Sequence, residues 1–333
     1  MKKGPVKGTL LFLLMVLVPF FLSIYYVNIL SEILILSVFA VSLNILVGQT
    51  GLVSLGHAAF FGAGAYATGL AALKFSTNIF ITIGIGLIFA LLLALIIGLL
   101  STKAHGFYFL MLTLACSQIF YSIVYQWTNV TGGSNGLSGI APVDLVGGLR
   151  LSNQVFVYYF ILVVIAILLF ILSRFLHSPL GTVFIGIKEN EERMKSIGYN
   201  TALYKNISFL IAGTIGGLAG GLYVVFNGFI SPNDVYWTAS GSVLIMVLIG
   251  GVGTLWGPVI GAAFIVILET IISSYTENWM MIIGAAFILF VIFAPNGIVG
   301  IFNSLKRTLL KRQKLEHETS KIIQMKQETK MDG

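Results

Sequence analysis

The feature that most constrains how this chain folds is a series of charge-free apolar stretches, each about 20 residues long. A helix needs about that length to cross a bilayer, where its backbone groups must bond to one another. Hydrophobic residues make up 57% of the 333 residues and charged residues only 9%, against about a quarter in soluble domains. The sequence therefore predicts an all-α, polytopic integral membrane protein built as a helical bundle.

Polar breaks between the apolar runs predict about ten membrane spans, with a range of about eight to ten. The predicted spans are 9–27, 31–49, 52–73, 79–100, 106–126, 154–176, 206–229, 240–256, 258–274 and 279–300. Gly, Gln, Asn, Ser and Pro interrupt the apolar pattern near 42–64 and 249–262. We expect broken or re-entrant segments at these two places, shielded from lipid by protein or by a water-filled cavity.

The basic residues sort by membrane side. With the N-terminus in the cytoplasm, all but two of the 19 lysines and arginines, Lys74 and Arg150, fall on the cytoplasmic side, as the positive-inside rule requires. The net charge of +7 is thus explained by topology and does not indicate nucleic-acid binding. We expect a cytoplasmic N-terminus over 1–8, a transmembrane domain over 9–302 and a basic cytoplasmic tail over 303–333, attracted to anionic lipid or to a partner protein.

A charged stretch between two spans, over 177–205, predicts a surface for another protein. Between Lys188 and Ile197 its acidic residues precede its basic residues, an order that suits the dipole of a short helix, and a glycine follows where the helix would stop. The residues predicted to carry this contact are Glu189, Glu191, Glu192, Arg193 and Gly198.

Several polar side chains fall at membrane depth, where they are unfavourable unless they face protein or water. The candidate pathway residues are Asn44, Gln49, Ser54, His57 and Glu269. Structural hydrogen bonding is the alternative for the residues between Asn44 and His57, and His57 fits a structural histidine better than a proton carrier. For Glu269 the alternative is a structural role, because an acid near the interface can extend its carboxylate to water. If glycines break the helix around Asn44 to His57, its freed N–H groups offer a site for a carboxylate.

Glycines at four-residue spacing predict two helix-packing seams. Bare backbone on one helix face lets another helix approach closely where no hydrophobic force drives association. The seam glycines are Gly213, Gly217, Gly221, Gly253, Gly257 and Gly261.

Enzyme chemistry is not indicated. The chain has no GxxxxGK[ST] motif, no nucleophile paired with a base and no His/Cys cluster, and its single cysteine, Cys116, lies in an apolar run. We therefore expect no catalytic residues, no metal and no cofactor, and any ATP must be hydrolysed by a separate subunit.

Three segments, in order along the chain, resemble a known family of transporters. The segments 44–65 and 249–262 resemble the N-terminal signature and the C-terminal glycine-rich segment of LivM-type branched-chain amino-acid permeases, and 186–198 resembles their cytoplasmic loop. Glu192 and Gly198 match the spacing of the coupling loop of ABC importer permeases, although Arg193 and Met194 replace its two alanines. The resemblance covers about residues 30–300.

This resemblance implies the permease subunit of an ABC importer, which moves branched-chain amino acids across the bacterial plasma (inner) membrane by ATP-driven alternating access. The implied partners are a second homologous permease of the LivH type, two cytoplasmic ATPase subunits and an extracytoplasmic solute-binding protein. Permeases for urea or short-chain amides share the pattern and stay open as an alternative. An ion-coupled secondary transporter is the other alternative, for which Glu269 and His57 offer the few ionisable groups within the spans.

Overall fold

The computed structural model describes residues 15–145, 153–294 and 297–301, so the predicted N-terminal segment 1–8 and tail 303–333 lie outside the described residues. In the described part, the long elements are all helices. They are α1 Ile24–Asn44, α2 His57–Lys74, α3 Ile79–Ser101, α4 Phe107–Gln126, α5 Gln154–Leu176, α6 Pro179–Glu189, α7 Glu191–Ser196, α8 Thr201–Asn227, α9 Trp237–Gly250, α10 Gly257–Ser273 and α11 Trp279–Phe293. The prediction of an all-α polytopic membrane protein is confirmed.

Five helical segments of the described chain are long and apolar enough to cross a membrane: α1 with its continuation to Thr50, α3, α4, α5 and α8. The helices α9, α10 and α11 are apolar but shorter. The first predicted boundaries, 9–27 and 31–49, are wrong, because the helix over 15–21 ends before a bend at 22–23 and α1 already begins at Ile24. The polar residues near 28–32 lie within α1 and do not break it.

Two helices are broken inside the predicted segments 42–64 and 249–262, which confirms both expectations. The chain continues α1 as a π-helix over Ile45–Thr50, turns at Gly51 with a φ of 74° and runs irregularly to the start of α2. The second break separates α9 from α10 over residues 251–256. A positive φ is accessible to glycine because it has no Cβ atom.

The two ends of the bundle are defined by short contacts between loops. At one end, α7 lies beside the α3–α4 connection, since His105 Nε2 is 3.8 Å from Glu191 Oε1. We call this the α6–α7 end. At the opposite end, the far end, isolated bridges join Leu137 to Ile230 and Asn78 to Asp144.

The centre of the bundle is the packing of α8 against α2 and α3. Gly213 and Gly217 lie against Ala94 and Ala90 of α3, and Gly220 lies against the backbone of α2 at Phe61. A Cβ atom at Gly221 would lie 2.9 Å from Thr68 Oγ1 of α2. These close approaches leave no room for a side chain, which is the arrangement expected of small-residue helix interfaces.

The second set of glycines is divided between a helix and a loop. Gly257 and Gly261 lie in α10 and meet the backbone of α9 and of the break that follows it. Gly253, which spacing alone grouped with them, lies in the irregular segment with a φ of 79° and faces the Gly48 carbonyl. Gly253 therefore forms the turn and its contact with the continuation of α1, and it is not part of the helix-packing seam.

We expect Gly220→Ala to destabilise the bundle by about 1–3 kcal/mol, because the added methyl group would overlap the Phe61 carbonyl oxygen, which is part of a rigid helix. Thermal unfolding of the purified protein in detergent measures the effect. Gly84→Ala is the matched control, since Gly84 is also helical but a Cβ atom there meets nothing within 4 Å. Equal melting temperatures for the two variants would contradict the packing argument.

Candidate functional site

The two breaks are joined to each other by side-chain amides. Asn44 donates from Nδ2 to the Thr254 carbonyl at 2.9 Å and accepts at Oδ1 from the Gly253 N–H group at 2.9 Å. Gln49 donates from Nε2 to the Gly253 carbonyl at 3.2 Å. Both amide side chains belong to buried residues, so they satisfy backbone groups that neither helix can satisfy itself. Of the candidate pathway residues, Asn44 and Gln49 thus connect α1 to segment 251–256 by hydrogen bonds.

A lysine from the charged stretch also reaches this junction. Lys188, in the last turn of α6, donates from Nζ to the Gly48 carbonyl at 2.8 Å. A Cβ atom on Gly51 would lie 3.1 Å from Lys188 Cγ, so the lysine stem packs along the turn that ends the π-helix. A cation at a helix C-terminus interacts favourably with the free carbonyls and the helix dipole. The break in α1 is therefore in direct contact with α6.

His57 is wholly buried at the start of α2. Its Nε2 atom lies 2.7 Å from Ser42 Oγ, and its ring stacks on Phe39 with centroids 5.6 Å apart. The Ser42 hydroxyl donates its hydrogen to the Phe39 carbonyl, so we assign the ring hydrogen to Nε2 as the donor to Ser42. This arrangement favours the structural interpretation of His57 over proton transfer.

Three N–H groups at or just before the start of α2 bond to hydroxyl groups. The N–H groups of Leu55 and Ala58 donate to Thr113 Oγ1 at 3.3 Å and to Ser240 Oγ at 2.8 Å. The Ser54 hydroxyl accepts from the N–H group two residues later at 3.2 Å. A solute carboxylate could bind this helix start only by displacing these hydroxyls, so the structure does not favour the predicted carboxylate site.

Glu269 lies half-buried in α10, close enough to Glu32 of α1 for the two carboxylates to repel each other. Glu32 was not singled out from the sequence, because the assumed start of the second span near residue 31 placed it at an interface. The structure places it within α1, so the far end of the bundle has a second carboxylate besides Glu269.

Asp234 is a third acidic group near the far end, in the short 3₁₀-helix Pro232–Val235 between α8 and α9. Its carboxylate accepts from the Ser231 N–H group at 2.9 Å and interacts with the Tyr223 side chain. Burial raises the pKa of Asp234, although these two hydrogen bonds oppose the shift. Asp234 was not singled out from the sequence, although its spacing from Ser231 is that of a capping box and could have identified it.

The charged stretch folds as two helices at one end of the bundle. The predicted single helix from Lys188 to Ile197 is wrong, because the chain breaks at Asn190, whose side chain accepts from the Arg193 N–H group at 2.9 Å and caps α7. Asparagine caps a helix start better than it continues a helix. Glu189 ends α6, Arg193 is exposed on α7, and Gly198 follows α7 with a φ of 95°.

Glu191 ties α7 to the start of α8. Its carboxylate pairs with the buried Lys205, accepts from Thr201 Oγ1 at 3.1 Å and lies 3.5 Å from Lys195 Nζ. Burial opposes ionisation of Glu191, but the hydrogen bonds and charges of Lys205, Thr201 and Lys195 outweigh it and lower its pKa. The neighbouring Glu192 is 82% exposed and pairs with Lys195 at 2.8 Å, so its side chain points outward from the bundle.

No group of three or more His, Cys, Asp and Glu side chains placed to hold a metal ion occurs within residues 15–145, 153–294 and 297–301.

Comparison with known proteins gives consistent matches along most of the chain. A family model described as the permease component of branched-chain amino acid transport systems matches residues 25–291. The high-affinity branched-chain amino acid transport system permease protein LivM of Escherichia coli (strain K12) is 27% identical over 84% of this chain and 71% of its own length. The LivM protein of Salmonella typhimurium is 26% identical over the same shares.

An archaeal relative also matches. A probable branched-chain amino acid transport permease protein LivM from Methanocaldococcus jannaschii is 30% identical over 64% of this chain and 64% of its own length. No solved structure matches the chain.

We expect Glu191→Gln to destabilise the α7–α8 junction by about 2 kcal/mol, because it leaves the buried Lys205 ammonium without its charged partner. Glu192→Gln, at an exposed position on the same helix, should stay within about 0.5 kcal/mol of the wild type. The contribution of Glu191 is complete above the ordinary carboxyl pKa and is lost as pH falls through its lowered pKa. Thermal unfolding from pH 7 down to about pH 2 measures both effects, and equal losses in the two variants would contradict the assignment.

Proposed function

Because the chain belongs to the family of permease components of branched-chain amino acid transport systems, we propose that it is the transmembrane permease subunit of an ABC importer for these amino acids. In this proposal it works with a second permease of the LivH type, two cytoplasmic ATPase subunits and an extracytoplasmic solute-binding protein. The protein spans the bacterial plasma membrane many times with both termini in the cytoplasm, an orientation supported by its basic residues.

The single observation that carries the proposal is the contact from Lys188 of α6 to the Gly48 carbonyl, at 2.8 Å. It joins the charged helices α6 and α7 to the place where α1 is broken. With the N-terminus in the cytoplasm, these two helices face the cytoplasm and form the surface on which an ATPase subunit docks. Residues 177–205 then serve as the coupling loop.

The docking surface combines charge with exposed apolar side chains. Glu192 and Arg193 are exposed on α7, and beside them Ile197 and Leu203 are 64% and 53% exposed. Apolar side chains just outside the membrane, next to exposed charges, are typical of a surface that another protein covers. Gly198 ends α7 and so sets the direction in which this surface meets α8.

The proposed mechanism is alternating access driven by ATP binding and hydrolysis on the separate ATPase subunits. Closure of the ATPases moves α6 and α7, and the Lys188 contact moves the π-helical end of α1 with them. Asn44 and Gln49 transmit that movement to segment 251–256 and to the helices on either side of it. For the solute to be carried in one direction, its affinity must differ between the two states of the bundle.

We expect uptake of labelled leucine into vesicles that contain the complete reconstituted system to require ATP and the solute-binding protein. Excess isoleucine or valine should compete, and excess urea should not. Uptake that follows an imposed proton or sodium gradient without ATP would identify an ion-coupled secondary transporter. Uptake of urea in place of leucine would assign the chain to the urea and amide permeases.

We expect Lys188→Met to reduce ATP-driven leucine uptake about tenfold, because the lost charged hydrogen bond is worth about 1.5 kcal/mol to the coupled state. ATP hydrolysis by the same complex should fall much less, so the number of ATP molecules used per leucine rises. Lys188→Arg, which keeps the cation, is the matched control and should retain most of the uptake. Parallel losses of uptake and hydrolysis in Lys188→Met would contradict a coupling role.

A further inference from the structure

The bundle exposes two kinds of surface at membrane depth. On α3 and α5 the exposed side chains in the middle of each helix are all apolar, among them Leu92, Ile96 and Ile167. Such surfaces suit lipid, because hydrocarbon offers no partner for polar groups. The surface of α4 differs from both.

α4 carries polar side chains on one exposed face in the half of the helix that leads to the far end, whereas the other half of that face exposes Met111 and Ala115. Gln118, Ser122 and Gln126 follow one another at four-residue spacing, with Gln118 half-buried near the middle of the helix and the other two exposed. Together with Ile119 and Ile123 they line a shallow cavity of about 320 Å³. None of the three polar side chains makes a hydrogen bond to the described part of the protein.

Two neighbouring elements contact α4 and expose polar groups or irregular backbone of their own. The irregular segment 51–55 contacts α4 through the Leu55 N–H group and Thr113, and it leaves Gly51 and Val53 exposed. The start of α9 contacts α4 through the rings of Tyr121 and Tyr236, whose centroids are 4.9 Å apart. Beyond this contact, α9 exposes two hydroxyl side chains at Thr238 and Ser242.

We propose that these three elements, the polar face of α4, segment 51–55 and the start of α9, line the water-filled pathway of the solute. We call this surface the pathway face. Each polar group left unpaired in hydrocarbon costs several kcal/mol, so a surface that combines free amides, free hydroxyls and irregular backbone is not stable against lipid. The inference rests on the proposed function and names the residues that its pathway uses.

The chemistry of the pathway face fits an amino acid in its zwitterionic form. Glutamine amides and serine hydroxyls both donate and accept hydrogen bonds, so they can hold the ammonium and the carboxylate of the solute alike. Because these side chains carry no fixed charge, they favour passage of the solute over tight binding. Ile119 and Ile123, on the same face, offer contact to a branched aliphatic side chain.

The test is thiol labelling of single cysteines in the full-length chain, assembled with the other subunits in its membrane. Cys116 is first replaced by alanine, and Gln118→Cys and Ser122→Cys are compared with Leu92→Cys and Ile167→Cys. A charged, membrane-impermeant methanethiosulfonate reagent reacts with thiolates, which form in water and not in hydrocarbon. We expect positions 118 and 122 to be labelled at least about tenfold faster than positions 92 and 167.

Labelling of positions 118 and 122 as slow as that of 92 and 167 would overturn the proposal, whether lipid or a dry contact with another subunit covers the face. The labelling rate requires neither ATP nor uptake. If uptake proves independent of ATP while the labelling pattern holds, the ABC importer assignment fails and the pathway face stands. Slowing of the reaction at position 118 by saturating leucine would further support the pathway.

Discussion

The structure depends on how it satisfies backbone groups at the two places where helices stop inside the membrane domain. Ending α1 and α9 in the bundle leaves carbonyl and N–H groups that lipid cannot satisfy. Asn44 and Gln49 bond to the backbone of the opposite break, and Lys188 bonds to the Gly48 carbonyl. The irregular backbone therefore requires the polar residues of this region, and these residues join α1, α6 and segment 251–256 into one unit.

Close helix contacts hold this unit in place without a hydrophobic force between helices. The backbone of α8 meets α2 and α3 at glycines, and edge-to-face contacts link Phe60, Phe209 and Phe109 with centroids 5.8 and 5.7 Å apart. These rings belong to α2, α8 and α4. The packing of α2, α3 and α8 is therefore rigid, whereas the junction of the two breaks is held by hydrogen bonds. The movable part of the protein thus lies at the breaks.

The sequence was sufficient for the fold class, for the two breaks and for most helix limits, because a bilayer imposes a length and a polarity that can be read directly. It was insufficient where a polar residue fits either the interior or the end of a helix. Glu32 looked like the edge of a span, yet α1 continues through it, and Asn190 looked like the interior of a helix, yet it caps one. Which of two adjacent acids is buried, Glu191 or Glu192, depends on where α7 lies against Lys205, and no local pattern determines that.

Segment 51–55 connects the two proposals. At one end Gly51 packs on the stem of Lys188, and at the other end Leu55 bonds to Thr113 of α4. A displacement of α6 that moves Gly48 and Gly51 must therefore be absorbed within a few residues or passed to α4. Beyond Gly51 and Leu52, whose N–H groups bond to the Leu46 carbonyl, the described structure shows no helical hydrogen bonds in this segment, so it can change shape with less energetic cost than the glycine-packed helices. In the proposed mechanism, the movement of the coupling helices thus reaches the polar face of α4 through this segment.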